Sequence, residues 1–174
     1  LPAQVKHEAL LRIAENLASH RNEIIDENRW DLAAADQANM SAAMQDRLLL
    51  NTARIAGIAT DVKAVAALPD PVGEVLDART MPNGLQISRR RVPLGVIATI
   101  YESRPNVTVD ISTLCLKSGN AVILRGGKED IHSNLALAKV VQKAAYESGI
   151  PEGAIQIIES TDRSVVDHML KMSG

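Results

Sequence analysis

The sequence predicts an α/β fold, and three observations carry this prediction. Residues 1–70 repeat their apolar side chains every three or four positions, as amphipathic helices do. Residues 72–93 change to an alternation of period two around Asn83-Gly84, a dipeptide typical of hairpin turns. After Pro93 an apolar run is followed by a helical segment three times in succession, which favours a parallel sheet with right-handed crossovers.

The helical leader, residues 1–70, is predicted from its periodicity and from residues that begin and end helices. Apolar residues between positions 10 and 17 fall on one face, and Lys6 is expected with other charged residues on the solvent side. Ser41 is expected to cap a short helix that follows it. Residues 52–68 space their isoleucines and valines at three and four positions, and Pro69 ends this last helix.

The hairpin arm, residues 72–93, has polar side chains on both faces. Leu85 and Ile87 alternate with Gln86 and Ser88, and three arginines follow at positions 89–91. A strand pair of this kind is unusual in a core, so we expect an edge, an arm or a surface that another subunit covers. The arginine run also suggests a nucleic-acid patch, but one tryptophan, two tyrosines and no wider basic face favour a strand with charged edges.

The remaining segment, residues 94–174, is predicted to form a Rossmann-like βαβαβα unit. Two buried strands are expected at 96–100 and 121–124, and a third at 155–158. The helices between and after them are expected at 107–118, 133–148 and 164–171, the first with its apolar face built from Val107, Ile111, Leu114, Cys115 and Ser118. Three strands are few for an independent domain, so we expect the sheet to be incomplete.

The end of the second strand is the first candidate site. In parallel sheets, ligands bind beyond the carboxyl ends of the strands, and an arginine after the second strand suits a dinucleotide with a 2′-phosphate. Arg125 occupies this position, and Gly126-Gly127 and Lys128 follow it. The alternative is an ordinary basic turn on a solvated face. The Gly-Gly-Lys run is not a P-loop, because the earlier glycine and the following Ser or Thr are missing.

The end of the first strand is the second candidate site. Residues 101–107 contain no glycine, so the usual pyrophosphate cradle is absent, but the loop carries Arg104 and Asn106. An asparagine amide can donate to a developing oxyanion, and an arginine suits a carboxylate or phosphate of a substrate. The alternative is structural, with Asn106 or Thr108 capping the helix that follows.

Composition and single residues exclude several classes of function. A net charge of −2 gives no overall attraction to nucleic acid or anionic membranes, and no apolar run approaches the ~20 residues that span a bilayer. The single cysteine, Cys115, cannot form an internal disulfide and is expected in the core rather than as a nucleophile. The four histidines lack metal-ligand spacing, so no metal site is expected. We expect a cytoplasmic protein.

Three segments identify a family resemblance: RRRVPLGVI, YESRPNVTVD and LCLKSGNAVILRGGKE. They resemble the gamma-glutamyl phosphate reductases, a group within the aldehyde dehydrogenase superfamily, and the leader and GIPEGAIQIIE are similar as well. The resemblance implies an aldehyde-dehydrogenase-like fold and NADPH-dependent reduction of L-glutamyl 5-phosphate to L-glutamate 5-semialdehyde and phosphate, in proline biosynthesis. A cysteine thiolate forms a thioester in this family, and covalent catalysis of that kind divides one difficult step into two.

The resemblance also assigns roles to positions in this chain. Arg125 stands where the superfamily has a lysine that binds the adenosine ribose, with Gly126, Gly127 and Lys128 near the 2′-phosphate. Asn106 is the candidate for the oxyanion asparagine, although its spacing to Gly119-Asn120 is shorter than in typical members.

The length of the chain bears on what it can do alone. Family members are more than twice as long, and Cys115 does not match the catalytic motif. We therefore expect the amino-terminal part of the NADP-binding domain, without the catalytic domain and inactive alone. The alternative is a non-catalytic dinucleotide-binding or interaction module of the same fold. The superfamily forms dimers through a protruding hairpin, for which residues 75–91 are the candidate.

Overall fold

The computed structural model describes residues 1–172, and its first part is the four-helix leader that the periodicity predicts. The helices are α1 (Ala3–Ser19), α2 (Arg21–Gln37), α3 (Ala42–Leu48) and α4 (Thr52–Ala67). Ser41 caps α3 as predicted, its hydroxyl accepting from the Met44 N–H, and Asn51 caps α4 in the same way. Helices α1 and α4 pack on each other through buried aliphatic side chains, so the leader has a core of its own.

Lys6 is an exception to the predicted solvent side of α1. Its side chain is buried, and its ammonium donates to the Asp70 carboxylate at 2.8 Å and to the Lys117 carbonyl at 3.2 Å. Lys117 is buried too and donates to the Ala66 carbonyl at 2.9 Å. The expectation that Lys6 faces solvent was wrong, because a buried ammonium is tolerated where charged and carbonyl partners surround it.

The hairpin arm consists of β1 (Val75–Thr80) and β2 (Gln86–Arg90), which pair in antiparallel fashion. Gly84 adopts a φ of 84° in the connecting turn, a conformation that glycine allows without strain. Every residue of both strands is exposed, so this pair contributes nothing to the core of the chain. The prediction of a hairpin outside the core is confirmed.

The last segment forms a parallel sheet in the order β3-β4-β5, with β3 at Val96–Ile100, β4 at Ala121–Arg125 and β5 at Ile155–Ile157. Helices α5 (Asn106–Lys117) and α6 (Ile131–Glu147) connect the strands, and α7 (Ser164–Lys171) follows them. The leader packs against α5 and α6, so these helices lie between it and the strands. This α/β arrangement confirms the predicted fold class.

Strand β3 is not the buried strand that its apolar run predicts. Val96, Ala98 and Ile100 are exposed, and Ile97 and Thr99 are half-buried. The prediction failed because β3 forms one edge of the described sheet, with only β4 as a neighbour. Strand β4, which has a neighbour on each side, is buried at Val122 and Leu124 as expected.

The buried face of α5 also differs from the predicted one. Leu114 is exposed, whereas Thr108, Ser112 and Thr113 are buried. The Ser112 and Thr113 hydroxyls donate to carbonyls one turn earlier in the helix, so their burial leaves no unpaired hydroxyl. A pattern built on apolar residues alone could not identify this face.

Among residues 1–172, no helix is both long enough and apolar enough to cross a bilayer.

Candidate functional site

The two candidate loops lie side by side because β3 and β4 are parallel and in register. Ile100 pairs with Arg125, so the loops after these residues leave the sheet at the same edge. The Tyr101 N–H donates to the Arg125 carbonyl at 3.1 Å. A Cβ built on Gly127 would lie 3.4 Å from the Glu102 backbone, which places the two loops in contact. The sequence-predicted residues of both loops are therefore brought to one place.

Arg125 is buried rather than exposed, with 4% of its surface accessible. One guanidinium nitrogen, Nη2, donates to the Thr161 carbonyl at 3.0 Å, in the loop after β5. Its Nε lacks a hydrogen-bond partner in the described part of the chain. Hydrogen bonds from Ser164 lower the pKa of Asp162, and the charge of Arg125 adds to this effect. Arg125 thus connects the loops after β4 and β5, a role that sequence reasoning missed.

The Gly126-Gly127 turn is pressed against the first turn of α6. A Cβ on Gly126 would lie 2.1 Å from Asn134 Nδ2, and one on Gly127 would lie 2.5 Å from Glu129 Oε2. Both glycines are buried, whereas Lys128 directly after them is exposed. Gly126 leaves no room for a side chain beside the buried Asn134, whereas the Glu129 carboxylate beside Gly127 ends a flexible side chain that can move.

Helix α6 is capped from outside its own segment. Its N-cap residue, Asp130, makes no capping hydrogen bond. Instead Asp31 of α2 accepts from the His132 N–H at 3.2 Å and from the Ser133 N–H at 2.8 Å. Burial raises the pKa of Asp31, and the bonds from Ser133 oppose that effect. The leader therefore holds the start of the helix that follows the glycine turn.

Asp130 links the two candidate loops. Its Oδ2 accepts from the Arg104 N–H at 3.0 Å, and its side chain is fully buried. Burial raises the pKa of Asp130 to about 6. Beside it, Asn134 Oδ1 accepts from the Thr108 hydroxyl at 2.9 Å, and that hydroxyl is bonded to the Tyr101 hydroxyl at 2.6 Å. No short-range sequence pattern identifies these residues, because each bond joins separate elements.

The loop after β3 presents its two predicted residues differently. The Arg104 side chain is exposed, and Ser103 before it has a φ of 52°, a left-handed conformation. Asn106 is half-buried, and its amide donates to Asp110 Oδ2 at 2.8 Å. The N-cap of α5 is Pro105, and no side chain caps the helix, so the capping alternative for Asn106 and Thr108 was wrong. An asparagine amide has two donor hydrogens, so Asp110 can orient Asn106 while one hydrogen stays available.

Cys115 is confirmed as a buried thiol. It is 4% exposed on α5, and burial raises its pKa above the ordinary value. A nucleophilic cysteine needs an accessible thiolate, and neither condition is met here.

The whole chain, residues 1–174, matches the model of the aldehyde dehydrogenase family. The chain therefore belongs to the aldehyde dehydrogenase family, an oxidoreductase family whose cofactor is a nicotinamide dinucleotide.

Within this family the chain is similar to proteins named gamma-glutamyl phosphate reductase. The one from Dehalococcoides mccartyi is 58% identical over 168 residues, which are 97% of this chain and 40% of that protein. The one from Caldanaerobacter subterraneus is 51% identical over 174 residues, covering 100% of this chain and 42% of that protein. The crystal structure of gamma-glutamyl phosphate reductase from Thermotoga maritima superposes with a TM-score of 0.96 at 43% identity, over 99% of this chain and 42% of that one. This chain thus spans about two fifths of the length of these relatives.

Proposed function

We propose that this chain supplies the amino-terminal part of the NADP-binding domain of an enzyme that reduces L-glutamyl 5-phosphate with NADPH. The products are L-glutamate 5-semialdehyde and phosphate, in proline biosynthesis. The observation that carries the proposal is the match to the Thermotoga maritima reductase, at a TM-score of 0.96 over 99% of this chain. Because Cys115 is buried, we propose that the nucleophilic cysteine lies outside these 174 residues.

The end of β4 and the loop after it fit a dinucleotide through two basic residues, Lys128 and Arg125. Gly126 and Gly127 are proposed to contact the cofactor through their backbone, while the sides where a Cβ would project face Asn134 and Glu129. Lys128 is exposed and offers a positive charge for a 2′-phosphate. Arg125 has a buried Nε without a partner within residues 1–172, and we keep it in the proposed cofactor site for that reason. When bound, NADPH supplies the hydride that reduces the acyl group.

The loop after β3 fits an anionic substrate. The exposed guanidinium of Arg104 suits the phosphate or a carboxylate of glutamyl phosphate. Asn106 is oriented by Asp110 at 2.8 Å, which leaves an amide hydrogen for the oxyanion that develops at the acyl carbon. These two residues are the proposed substrate contact and oxyanion donor of this chain.

The hairpin, residues 75–91, is the proposed contact for a homo-oligomer. Both of its strands are exposed at every residue, including Leu76 and Ile87, so the arm offers unpaired strand edges and apolar side chains.

The activity itself is tested on the full-length protein that contains this chain. Phosphate-dependent reduction of NADP⁺ with glutamate 5-semialdehyde, followed at the absorbance of NADPH, is the expected result. A purified, folded protein that fails to catalyse this reaction would overturn the proposal.

The cofactor site is tested with Lys128→Ala in the same protein. Loss of one charged contact to the 2′-phosphate should raise the Kd for NADPH about tenfold and change that for NADH by less than about twofold. Lys143→Ala is the matched control, because Lys143 is also an exposed lysine. It lies within α6, about 18 Å along the helix axis from the first residue of that helix. Equal losses for NADPH and NADH, or an equal effect of the control, would contradict the assignment.

A further inference from the structure

Asp130 has the position of a helix cap but does not act as one. It precedes α6, yet the N–H groups of His132 and Ser133 are bound by Asp31 of α2. Buried carboxylates need hydrogen-bond donors or they cost stability. Because another residue takes the capping role, the Asp130 carboxylate is available for a partner elsewhere.

That partner is the loop after β3. Asp130 Oδ2 accepts from the Arg104 backbone N–H at 3.0 Å, across 26 residues of sequence. Ser103, directly before Arg104, has a φ of 52°. A residue other than glycine is strained in the left-handed region, and it persists there where neighbouring contacts hold it. The bond to Asp130 is such a contact, and it determines the direction of the Ser103–Arg104 peptide.

We propose that Asp130 is a positioning residue that fixes residues 103–106 against α6. It thereby determines where the Arg104 guanidinium and the Asn106 amide lie with respect to the acyl phosphate. The consequence for substrate rests on the function proposed above, whereas the tether itself does not. Asp130 lies two residues after Lys128, so this bond joins the substrate loop to the segment that follows the cofactor loop.

A second tether makes the contribution of Asp130 separable. Thr108 at the start of α5 is bonded to both Asn134 and Tyr101, and these bonds do not involve Asp130. The base of the loop therefore stays attached to α6 when Asp130 is changed. Only the tip of the loop, residues 103–106, is expected to lose its fixed position relative to α6.

The surroundings of Asp130 make its charge respond to pH. Burial disfavours the carboxylate, the Arg104 N–H favours it, and the carboxylates of Asp31 from α2 and of Glu129 oppose it. Together they raise the pKa of Asp130 to about 6. The tether is therefore charged at neutral pH and neutral in mild acid, and an amide hydrogen bonded to it reports the change.

The tether is tested by NMR of the full-length protein labelled with ¹⁵N-arginine. The Arg104 amide proton should shift with a midpoint near pH 6 in the wild type, and it should not shift in Asp130→Ala. Asp36→Ala is the control, since Asp36 is an exposed aspartate of α2. The Arg104 amide of this variant should titrate as in the wild type. An Arg104 amide that does not titrate, or that titrates unchanged in Asp130→Ala, would overturn the tether.

The positioning role is tested by steady-state kinetics on the same proteins. Asp130→Ala should lower kcat/KM for the acyl substrate about tenfold or more, while the Kd for NADPH changes by less than about twofold. Asp130→Asn keeps an oxygen for the Arg104 N–H and should recover much of the loss. Parallel losses in substrate and cofactor binding without rescue by asparagine would indicate a merely structural role and overturn the proposal.

The outcomes also separate this inference from the proposed function. If the Arg104 amide titrates but the wild-type protein lacks reductase activity, the tether stands and the proposed function fails. If the protein is active and Asp130→Ala has full activity, the positioning role fails and the proposed function stands.

Discussion

The ionisation of Asp130 should lower the free energy of unfolding of the chain as the pH rises from mild acid to neutrality. Burial raises its folded-state pKa from 3.8 to about 6. A carboxyl with a raised pKa binds its proton more tightly in the folded state than in the unfolded state. Its contribution to stability is therefore complete below pH 3.8 and is lost as the pH rises through about 6.

The size of the effect follows from the two pKa values. The difference between 3.8 and about 6 corresponds to about 3 kcal/mol, since one pKa unit is worth about 1.4 kcal/mol. Asp31 and Asp110 have raised pKa values as well, whereas that of Asp70 is lowered, so the stability curve of the chain combines opposite trends. The contribution of Asp130 must therefore be isolated with a variant.

Asp130→Asn removes the titrating group and keeps its size. The free energy of unfolding should be measured by urea denaturation of both proteins at several pH values between 4 and 8. The variant should gain about 2.5 kcal/mol relative to the wild type between the two ends of this range, mostly between pH 4 and 6. Any constant effect of the asparagine cancels in this comparison. A difference that stays constant within about 0.5 kcal/mol would refute the reasoning.

Two further predictions concern stability. Lys6→Met should lower the free energy of unfolding by about 2–3 kcal/mol, because it removes a charged donor from Asp70. Burial acts to raise the pKa of Asp70, and the bond from Lys6 helps to lower it. Adding Asp70→Asn should cost much less in that background than alone, and strictly additive losses in urea denaturation would contradict a direct interaction. Gly126→Ala should cost about 1–3 kcal/mol, because its Cβ would lie 2.1 Å from Asn134 Nδ2. The control is Gly57→Ala, since a Cβ on Gly57 meets nothing within 4 Å and the residue lies on the exposed side of a helix. Its free energy of unfolding should rise by roughly 0.5–1 kcal/mol in thermal or urea unfolding. A loss of stability at Gly57 or a gain at Gly126 would count against the packing argument.

The order of elements could be predicted from the sequence because each element carries its own period. Strand β3 begins and ends at the predicted residues, and α4 ends one residue before the predicted Leu68. Burial was predicted less well. An apolar run is equally compatible with a central strand and with the edge strand that β3 forms, since the difference lies in how many neighbours the strand has.

The proximity of the two candidate loops was predicted, because strand ends in a parallel sheet meet at one edge. The hydrogen bonds around these loops were not predicted, since the partners are far apart in sequence. The partner of Arg125 is 36 residues away at Thr161, and that of Lys6 is 64 residues away at Asp70. A buried polar residue is recognisable from sequence only when its partner is known, and one sequence does not identify pairs at that separation. The roles of Arg104 and Asn106 stay predictions.

The cap that Asp31 provides for α6 joins residues 102 positions apart. A helix with a local cap can form its first turn early. The first N–H groups of α6 gain their acceptor within the protein, Asp31, only when α2 has docked. The start of α6 should therefore be among the last parts of the chain to become protected from hydrogen exchange during refolding. Removing residues 1–40 would then leave the helix after the glycine turn without the Asp31 carboxylate at its first N–H groups. Helix α2 therefore takes part in the assembly of the site, although no residue of α2 is among the proposed site residues.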